Sequence, residues 1–295
     1  MTSPEKKRPL GWTRSYWHAL DNPYWSPQYL GLKSIPRRLW QRVGDRISVP
    51  AELTSNNGPL YYRKRKVADF WPYVQSQEET FNHLLDLVLA VLDPRDAAEL
   101  FRPLCNFPEG LSFEDPGREL NCFLDWGVHQ NITQPDLFLA GDDALLMVEL
   151  KFNAKTSLDQ FGKYLALALR YQAVYGSRNN LGLTYVMSAP QPRASVEKQL
   201  GTTIEQIQSL GVAEVAEQVN NNAARDELLR DHQATKGLLK AIRVEAIHWS
   251  DLYGRLNDLA DSAGDEPGGR TYSRLLGGLA EAINLHPLSN LPSDG

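Results

Sequence analysis

The chain has few of the residues that build disulfides and zinc centres. Its two cysteines, Cys105 and Cys122, are too few for a disulfide framework and too far apart for a zinc-binding pair. The histidines show no paired spacing either: His18, His83, His129, His232, His248 and His286. Disulfide-stabilised secreted folds and structural zinc sites are therefore not expected.

Long apolar segments are lacking as well. No apolar run in the sequence approaches the roughly 18 residues that a membrane span needs. The longest candidate, residues 84–92, is interrupted by Asp86. Residues 1–31 do not have the charged-then-apolar layout of a signal peptide. We therefore expect a cytoplasmic protein with no membrane segment.

Nucleotide-binding loops are a third class of feature that the sequence lacks. It contains no G-x-x-x-x-G-K-[ST] loop and no G-x-G-x-x-G fingerprint after a strand. An ATP-driven motor is therefore not expected in this chain. A helicase or ATPase would have to be a separate partner.

What the chain does have is an uneven distribution of charge. The net charge is -5, yet residues 1–75 hold 13 Lys or Arg against 5 Asp or Glu, which is +8 and leaves -13 for residues 76–295. The cations alternate with aromatic rings in 12-WTRSYW-17, 36-PRRLWQR-42 and 61-YYRKRK-66. Such a segment suits nucleic acid, because phosphates attract Lys and Arg while bases stack on rings. In the alternative interpretation the rings pack on the main domain and the cations stay in solvent.

Turn formers and hydrophobic periodicity divide the chain into four parts. Residues 1–75 are rich in turn formers and are predicted to form a basic N-terminal arm. Residues 76–190 form the expected core, residues 191–284 a mostly helical part packed on it, and residues 285–295 a tail. Within the third part, helices are predicted over 194–209, 212–232, 250–262 and 271–284, with a strand-like segment over 241–249.

The periodicity of the core predicts an α/β fold. Apolar residues recur at intervals of three and four in residues 77–92, which is typical of an amphipathic helix. Strands are then predicted over 120–129, 136–140 and 144–152, a helix over 157–175 and a fourth strand over 181–188. The order helix, three strands, helix, strand predicts a mixed central sheet flanked by helices.

A short hairpin places three charged residues on one face of this sheet. If residues 142–143 form a two-residue loop, Asp136 stands opposite Glu149. Lys151 follows two positions later and shares that face, while Leu150 points to the other. A loop of different length would shift the pairing by one residue.

Charged side chains beside buried strand positions require a partner of opposite charge or a metal ion. Two carboxylates held close together repel, and Mg²⁺, or Mn²⁺, compensates both because it prefers oxygen ligands. The backbone carbonyl of Leu150 is a further candidate ligand. Such a metal stabilises charge on a phosphate and lowers the pKa of a water, which Lys151 could position for attack. The cluster therefore indicates phosphodiester hydrolysis.

The same residues carry a family resemblance. Pro135-Asp136, a gap of twelve residues and Glu149-Leu150-Lys151 resemble the PD-(D/E)XK motif of the restriction-endonuclease-like nuclease superfamily. The core of that superfamily also runs helix, three strands, helix, strand. The resemblance implies that Asp136 and Glu149 hold Mg²⁺ and that Lys151 positions the attacking water. It covers about residues 76–190.

The flanking helices extend the resemblance. Gln160-Phe161-Gly162-Lys163-Tyr164 resembles the Gln-x-x-x-Tyr element of RecB-type and related branches. In those branches the element supports the site or contacts DNA, which implies this role for Gln160 and Tyr164. Many members place a metal-supporting Glu in the helix before the strands. Glu78 is the first candidate for it and Glu79 the alternative.

The resemblance implies a Mg²⁺-dependent deoxyribonuclease, an endonuclease of host defence or DNA repair. A second interpretation is a non-catalytic module that binds nucleic acid or protein with the same fold. A third is an unrelated α/β protein in which the motif is coincidental. The sequence leaves open DNA versus RNA and endo- versus exonuclease, and double-strand cutting by one site would call for a homodimer.

Overall fold

The computed structural model describes most of the chain beyond residue 77. The described residues are 78–89, 91–113, 115–116, 133, 135–152, 155–286, 289 and 291. The predicted arm over residues 1–75 and the strand predicted over 120–129 lie outside them. Among the described helices, none combines the length and the apolar character needed to cross a membrane.

The described residues form ten helices and five strands. In chain order they are α1 (Glu78–Leu89), α2 (Pro94–Phe101), β1 (Asp115–Pro116), β2 (Leu137–Ala140), β3 (Ala144–Lys151), α3 (Leu158–Tyr175), β4 (Asn180–Met187), α4 (Pro192–Leu200), α5 (Ile204–Ile207), α6 (Val212–Gln218), α7 (Asn222–Arg230), α8 (His232–Ala241), β5 (Arg243–His248), α9 (Trp249–Ser262) and α10 (Pro267–Leu285). Two compact units divide them, one with residues 85–255, 289 and 291 and the other with residues 78–84 and 256–286. The unit of residues 85–255 contains the whole sheet.

The sheet is mixed, as predicted. Strands β2 to β5 are neighbours in chain order, and the two-residue strand β1 extends the β2 edge. β1, β2 and β3 pair antiparallel, whereas β3, β4 and β5 pair in parallel. Every residue of β3 and β4 is buried, which is typical of parallel strands covered on both faces. The expected α/β class is confirmed, and β5 confirms the strand-like segment predicted over 241–249.

Two predicted helices are divided into shorter ones. The segment predicted as one helix over 194–209 breaks at Gly201, whose φ of +73° ends α4. The segment predicted over 212–232 breaks at Asn221 and again at Asp231, whose side chains cap α7 and α8. Such side chains accept hydrogen bonds from N–H groups that a helix start leaves unpaired. The helix therefore restarts at each cap.

Helix α3 covers the sheet face that leads to the charged cluster. It begins after Ser157, whose hydroxyl accepts a hydrogen bond from the Gln160 N–H at 3.2 Å, and it ends before Gly176. These bounds match the helix predicted over 157–175. The ring of Tyr171 in α3 meets the ring of Phe138 in β2 edge-on, with centroids 5.2 Å apart. The apolar core thus lies between α3 and the face of the sheet that also carries the cluster.

Close packing of α3 on α6 requires a glycine at position 162. A Cβ at Gly162 would lie 2.4 Å from Cγ2 of Val219 and 3.2 Å from Cγ1 of Val215. Gly162→Ala should therefore destabilise the fold, because overpacking costs about 1–3 kcal/mol and the gain in helix propensity returns only about 1 kcal/mol. Urea unfolding of the variant measures this difference. Gly237→Ala in α8 is the matched control: nothing lies within 4 Å of its Cβ, so it should stabilise.

Candidate active site

The hairpin between β2 and β3 has the predicted register. Leu137 pairs with Val148, as a two-residue loop at 142–143 requires. One step beyond this pair, Asp136 comes opposite Glu149. The period of two then places Lys151 on the same face as Glu149.

At the end of the β2–β3 pairing, the side chain of Asp136 takes the place of a backbone carbonyl as hydrogen-bond acceptor. β2 begins at Leu137, one residue later than predicted, and Oδ2 of Asp136 accepts a hydrogen bond from the Leu150 N–H at 2.7 Å. The N–H and C=O groups of one strand residue point to the same neighbouring strand. The Leu150 carbonyl therefore points towards the β2 side, where Asp136 lies. The Lys151 carbonyl points the other way and accepts from the Ser188 N–H at 3.2 Å.

Three side chains donate hydrogen bonds to the Glu149 carboxylate. The Lys151 ammonium donates to Oε1, and Gln160 Nε2 donates to the same oxygen at 2.8 Å. The Tyr164 hydroxyl donates to Oε2. Gln160 Nε2 also donates to the Tyr164 hydroxyl at 2.8 Å, which closes the network.

The order of these contacts follows from the secondary structure. Gln160 and Tyr164 are four residues apart in α3, so both project from one face of the helix. The cap at Ser157 fixes where that helix starts and hence which face meets β3. The structure therefore brings the Gln-x-x-x-Tyr residues onto the carboxylate that the hairpin presents.

The network is almost closed to solvent. Glu149 is 3 % exposed and Lys151 is 7 % exposed. A buried carboxylate is stable only when it is paired and hydrogen-bonded, and here the lysine supplies the positive charge. In the absence of a metal, Lys151 is the cation at Glu149.

Burial raises the pKa of Tyr164 above its ordinary value, and the neighbouring Glu149 carboxylate raises it further. A phenol with a raised pKa in the folded state stabilises the fold fully below about pH 10, and this contribution is lost as the pH rises further. The free energy of unfolding should then fall by about 1.4 kcal/mol per pH unit for this group. Urea unfolding between pH 8 and 11 measures the slope.

Tyr164→Phe keeps the ring and removes the hydroxyl. Its unfolding free energy should fall less steeply above pH 10 than that of the wild type. At neutral pH it should be about 1–3 kcal/mol less stable, because Glu149 loses a donor. Equal slopes in the two proteins would show that Tyr164 ionises normally in the folded state.

Two further residues support the site and were not predicted. Tyr185 in β4 is in register with Glu149 and is fully buried, and burial raises its pKa. Trp249, the first residue of α9, donates from Nε1 to the Lys151 carbonyl at 3.3 Å. Its ring also stacks on Phe152, with centroids 4.2 Å apart. The Trp249 contacts hold the end of β3. Both residues are brought there by the parallel pairing of β3, β4 and β5, which no local pattern in the sequence specifies.

Oxygen ligands for a metal come from the hairpin. Among the described residues, no group of three His, Cys, Asp or Glu side chains is placed to hold a metal. The donors are the carboxylates of Asp136 and Glu149 and the Leu150 carbonyl. Mg²⁺ is commonly bound by one or two carboxylates and keeps several waters, so this set fits it when the ion replaces Lys151 at Glu149. Glu78, the first residue of α1, has a side chain outside the described part of the structure.

Comparisons with protein families, with curated proteins and with solved structures find no match to this chain. A functional interpretation therefore depends on its own residues. The structure brings together six predicted positions in one cluster: Asp136, Glu149, Leu150, Lys151, Gln160 and Tyr164.

Proposed function

We propose that this chain is a metal-dependent nuclease that hydrolyses phosphodiester bonds in DNA, with the PD-(D/E)XK motif as its active centre. The observation that supports this most is the convergence of Asp136, Glu149 and Lys151 at the end of the hairpin. Two acids and a lysine at that position have no evident packing role, since apolar residues would fill it at lower cost. Their presence at this position favours chemistry.

A Mg²⁺ held by Asp136, Glu149 and the Leu150 carbonyl would act as a Lewis acid on the phosphate and lower the pKa of a water. The protein's own groups do the rest. Lys151 orients the attacking water and offsets the charge of the phosphate. Gln160 and Tyr164 fix the rotamer of Glu149, and the Leu150 N–H fixes that of Asp136. Hydrolysis then joins the water oxygen to phosphorus, breaks the bond to the leaving oxygen, and transfers a proton to that oxygen.

A non-catalytic module that binds nucleic acid is the second candidate. It is favoured by the ion pair of Glu149 with Lys151, which satisfies the buried carboxylate without any metal. In such a module the cluster would be a structural contact, and the protein would bind nucleic acid without cleaving it.

Cleavage assays distinguish the two functions. The full chain is incubated with supercoiled plasmid, linear duplex, single-stranded DNA and RNA, each with Mg²⁺, Mn²⁺ or EDTA. A nuclease should nick or linearise the plasmid with Mg²⁺ or Mn²⁺ and leave it intact with EDTA. Binding without EDTA-sensitive cleavage would select the non-catalytic module. A protein that shows no binding and no cleavage would contradict both proposals.

A further inference from the structure

A shallow cleft opens beside the candidate active site. It has a volume of about 490 Å³ and lies where β4 and β5 end, between the start of α4 and His248, the last residue of β5. In open α/β sheets, ligands commonly bind outside the carboxyl ends of the parallel strands. The cleft occupies that position, and none of the six clustered residues lines it.

Strand register connects the cleft to the cluster. Lys151, Met187 and His248 form one row across β3, β4 and β5. Neighbouring strands are about 4.8 Å apart, so the backbone of His248 lies about 10 Å from that of Lys151. The chain segments that lead into the cleft also hold the Lys151 carbonyl, through the Ser188 N–H at 3.2 Å and Trp249 Nε1 at 3.3 Å. A ligand in the cleft therefore lies next to a group bound at Lys151.

His248 presents a hydrogen-bond donor to the cleft. Its Nδ1 accepts a hydrogen bond from the Ser250 N–H at 3.1 Å and lies 2.9 Å from the Ser250 hydroxyl, which leaves Nε2 as the ring donor. Oδ2 of Asp251 accepts from the His248 N–H at 2.8 Å. Within the described residues, neither His248 Nε2 nor Asp251 Oδ1 has a hydrogen-bond partner. One donor and one acceptor are thus available at the cleft.

The charges around the cleft do not suit a phosphate. Arg193 already pairs with Glu197 at 3.3 Å and with Glu205. Arg193 is the one Lys or Arg among the described residues of the lining and faces two acids there, Glu197 and Asp251, so the acids outnumber it. A second phosphate would be repelled there.

Apart from Gln191, the remaining surface of the cleft is apolar. It consists of two proline rings and two alanine methyls, Pro190, Pro192, Ala194 and Ala246. A ligand with a flat apolar face and an edge of donors and acceptors matches such a lining. Nucleobases have this form, and Asp side chains accept hydrogen bonds from base amino groups.

We propose that the cleft binds one unpaired nucleobase of the strand whose phosphate lies at Glu149 and Lys151. This inference depends on the proposed nuclease function and specifies its substrate: nucleic acid that is single-stranded, frayed or mismatched beside the cleaved bond. A paired base keeps its edge in the duplex and cannot enter the cleft, so the site discriminates by base pairing rather than by sequence.

Single-turnover cleavage tests the proposal. The probes are single-stranded oligonucleotides in which one base at a time, at successive positions around the cleaved bond, is replaced by an abasic residue. For the wild type, one abasic position should slow cleavage roughly five- to hundredfold, as loss of one bound base does elsewhere. A duplex with a mismatch at that position should be cut faster than the fully paired duplex.

Two variants locate the effect in the cleft. His248→Ala removes the donor, and Ala194→Leu fills the cleft from an exposed helix position. Each variant should cleave the intact oligonucleotide at the slow rate that the wild type shows on the abasic one. On the abasic oligonucleotide, the cleavage rate of each variant should equal that of the wild type. His232→Ala, an exposed histidine at the start of α8, should behave as the wild type.

For each abasic position, the cleavage rate of the intact oligonucleotide is divided by that of the abasic one. The inference is overturned if His248→Ala and Ala194→Leu keep the wild-type value of this ratio at every position. The proposed function stands in that case, because the wild type still cleaves. Absence of cleavage by the wild type on every probe contradicts the nuclease function and the cleft proposal together.

Discussion

Lys151→Met should slow cleavage by orders of magnitude and at the same time strengthen the binding of Mn²⁺. The side chains of Lys151 and Glu149 are only 8 % and 4 % exposed, and the ammonium occupies Oε1 of the carboxylate. A divalent cation must displace that ammonium, so removal of the lysine removes a competitor. Cleavage should fall roughly 10²- to 10⁴-fold, because the group that orients the water is lost.

Metal-free Lys151→Met should also be less stable than the wild type. Loss of one partner from a buried ion pair leaves the Glu149 charge uncompensated and costs roughly 3–5 kcal/mol. Saturating Mn²⁺ should restore much of this difference by binding the folded state. Denaturant unfolding with and without Mn²⁺ measures the stability, and calorimetric titration measures the affinity.

Lys163→Met is the matched control for this lysine. Lys163 pairs with Asp159 at 2.7 Å on the same helix as Gln160, and its side chain is 22 % exposed. The substitution should leave both cleavage and Mn²⁺ affinity close to wild type. Mn²⁺ affinity that falls or stays constant in Lys151→Met would show that Lys151 does not compete for the metal position.

Asp136→Asn should remove metal binding without disturbing the hairpin. The asparagine Oδ1 can still accept the Leu150 N–H, which in the wild type donates to Asp136 at 2.7 Å, so the register of β2 and β3 is kept. The negative charge is lost, however, and with it a ligand that Mg²⁺ and Mn²⁺ prefer. We expect Mn²⁺ affinity to fall at least roughly 100-fold and cleavage to fall with it.

The control for Asp136→Asn comes from the same hairpin. Asp142 is exposed in the loop between β2 and β3, and Asp142→Asn should change neither affinity nor rate. Unfolding free energies of both variants should stay close to that of the wild type. Wild-type cleavage by Asp136→Asn would mean that the active centre lies elsewhere.

The hairpin and the helix that meets it could be predicted because local rules specify them. A two-residue loop fixes which residues of β2 and β3 face each other, and a period of two places Glu149 and Lys151 on one face. A spacing of four then aligns Gln160 with Tyr164 on α3. Each of these relations spans fewer than about twenty residues.

The supporting contacts could not be predicted because they depend on long-range pairing. Tyr185 reaches the site, and His248 the neighbouring cleft, through the parallel pairing of β3, β4 and β5, and long helical connections leave that register unspecified. Trp249 reaches Lys151 for the same reason. The wholly buried strands β3 and β4 also lack the alternation that would reveal which residues face α3.

Anomalous diffraction from crystals grown with Mn²⁺ tests the metal site most directly. The proposed function predicts a manganese peak about 2.0–2.2 Å from a carboxylate oxygen of Asp136 and of Glu149, with Lys151 displaced from Oε1. Crystals of Asp136→Asn should lose that peak. Wild-type crystals that hold no manganese at Asp136 and Glu149, with Lys151 still bonded to the carboxylate, would contradict a metal-dependent active centre in this chain.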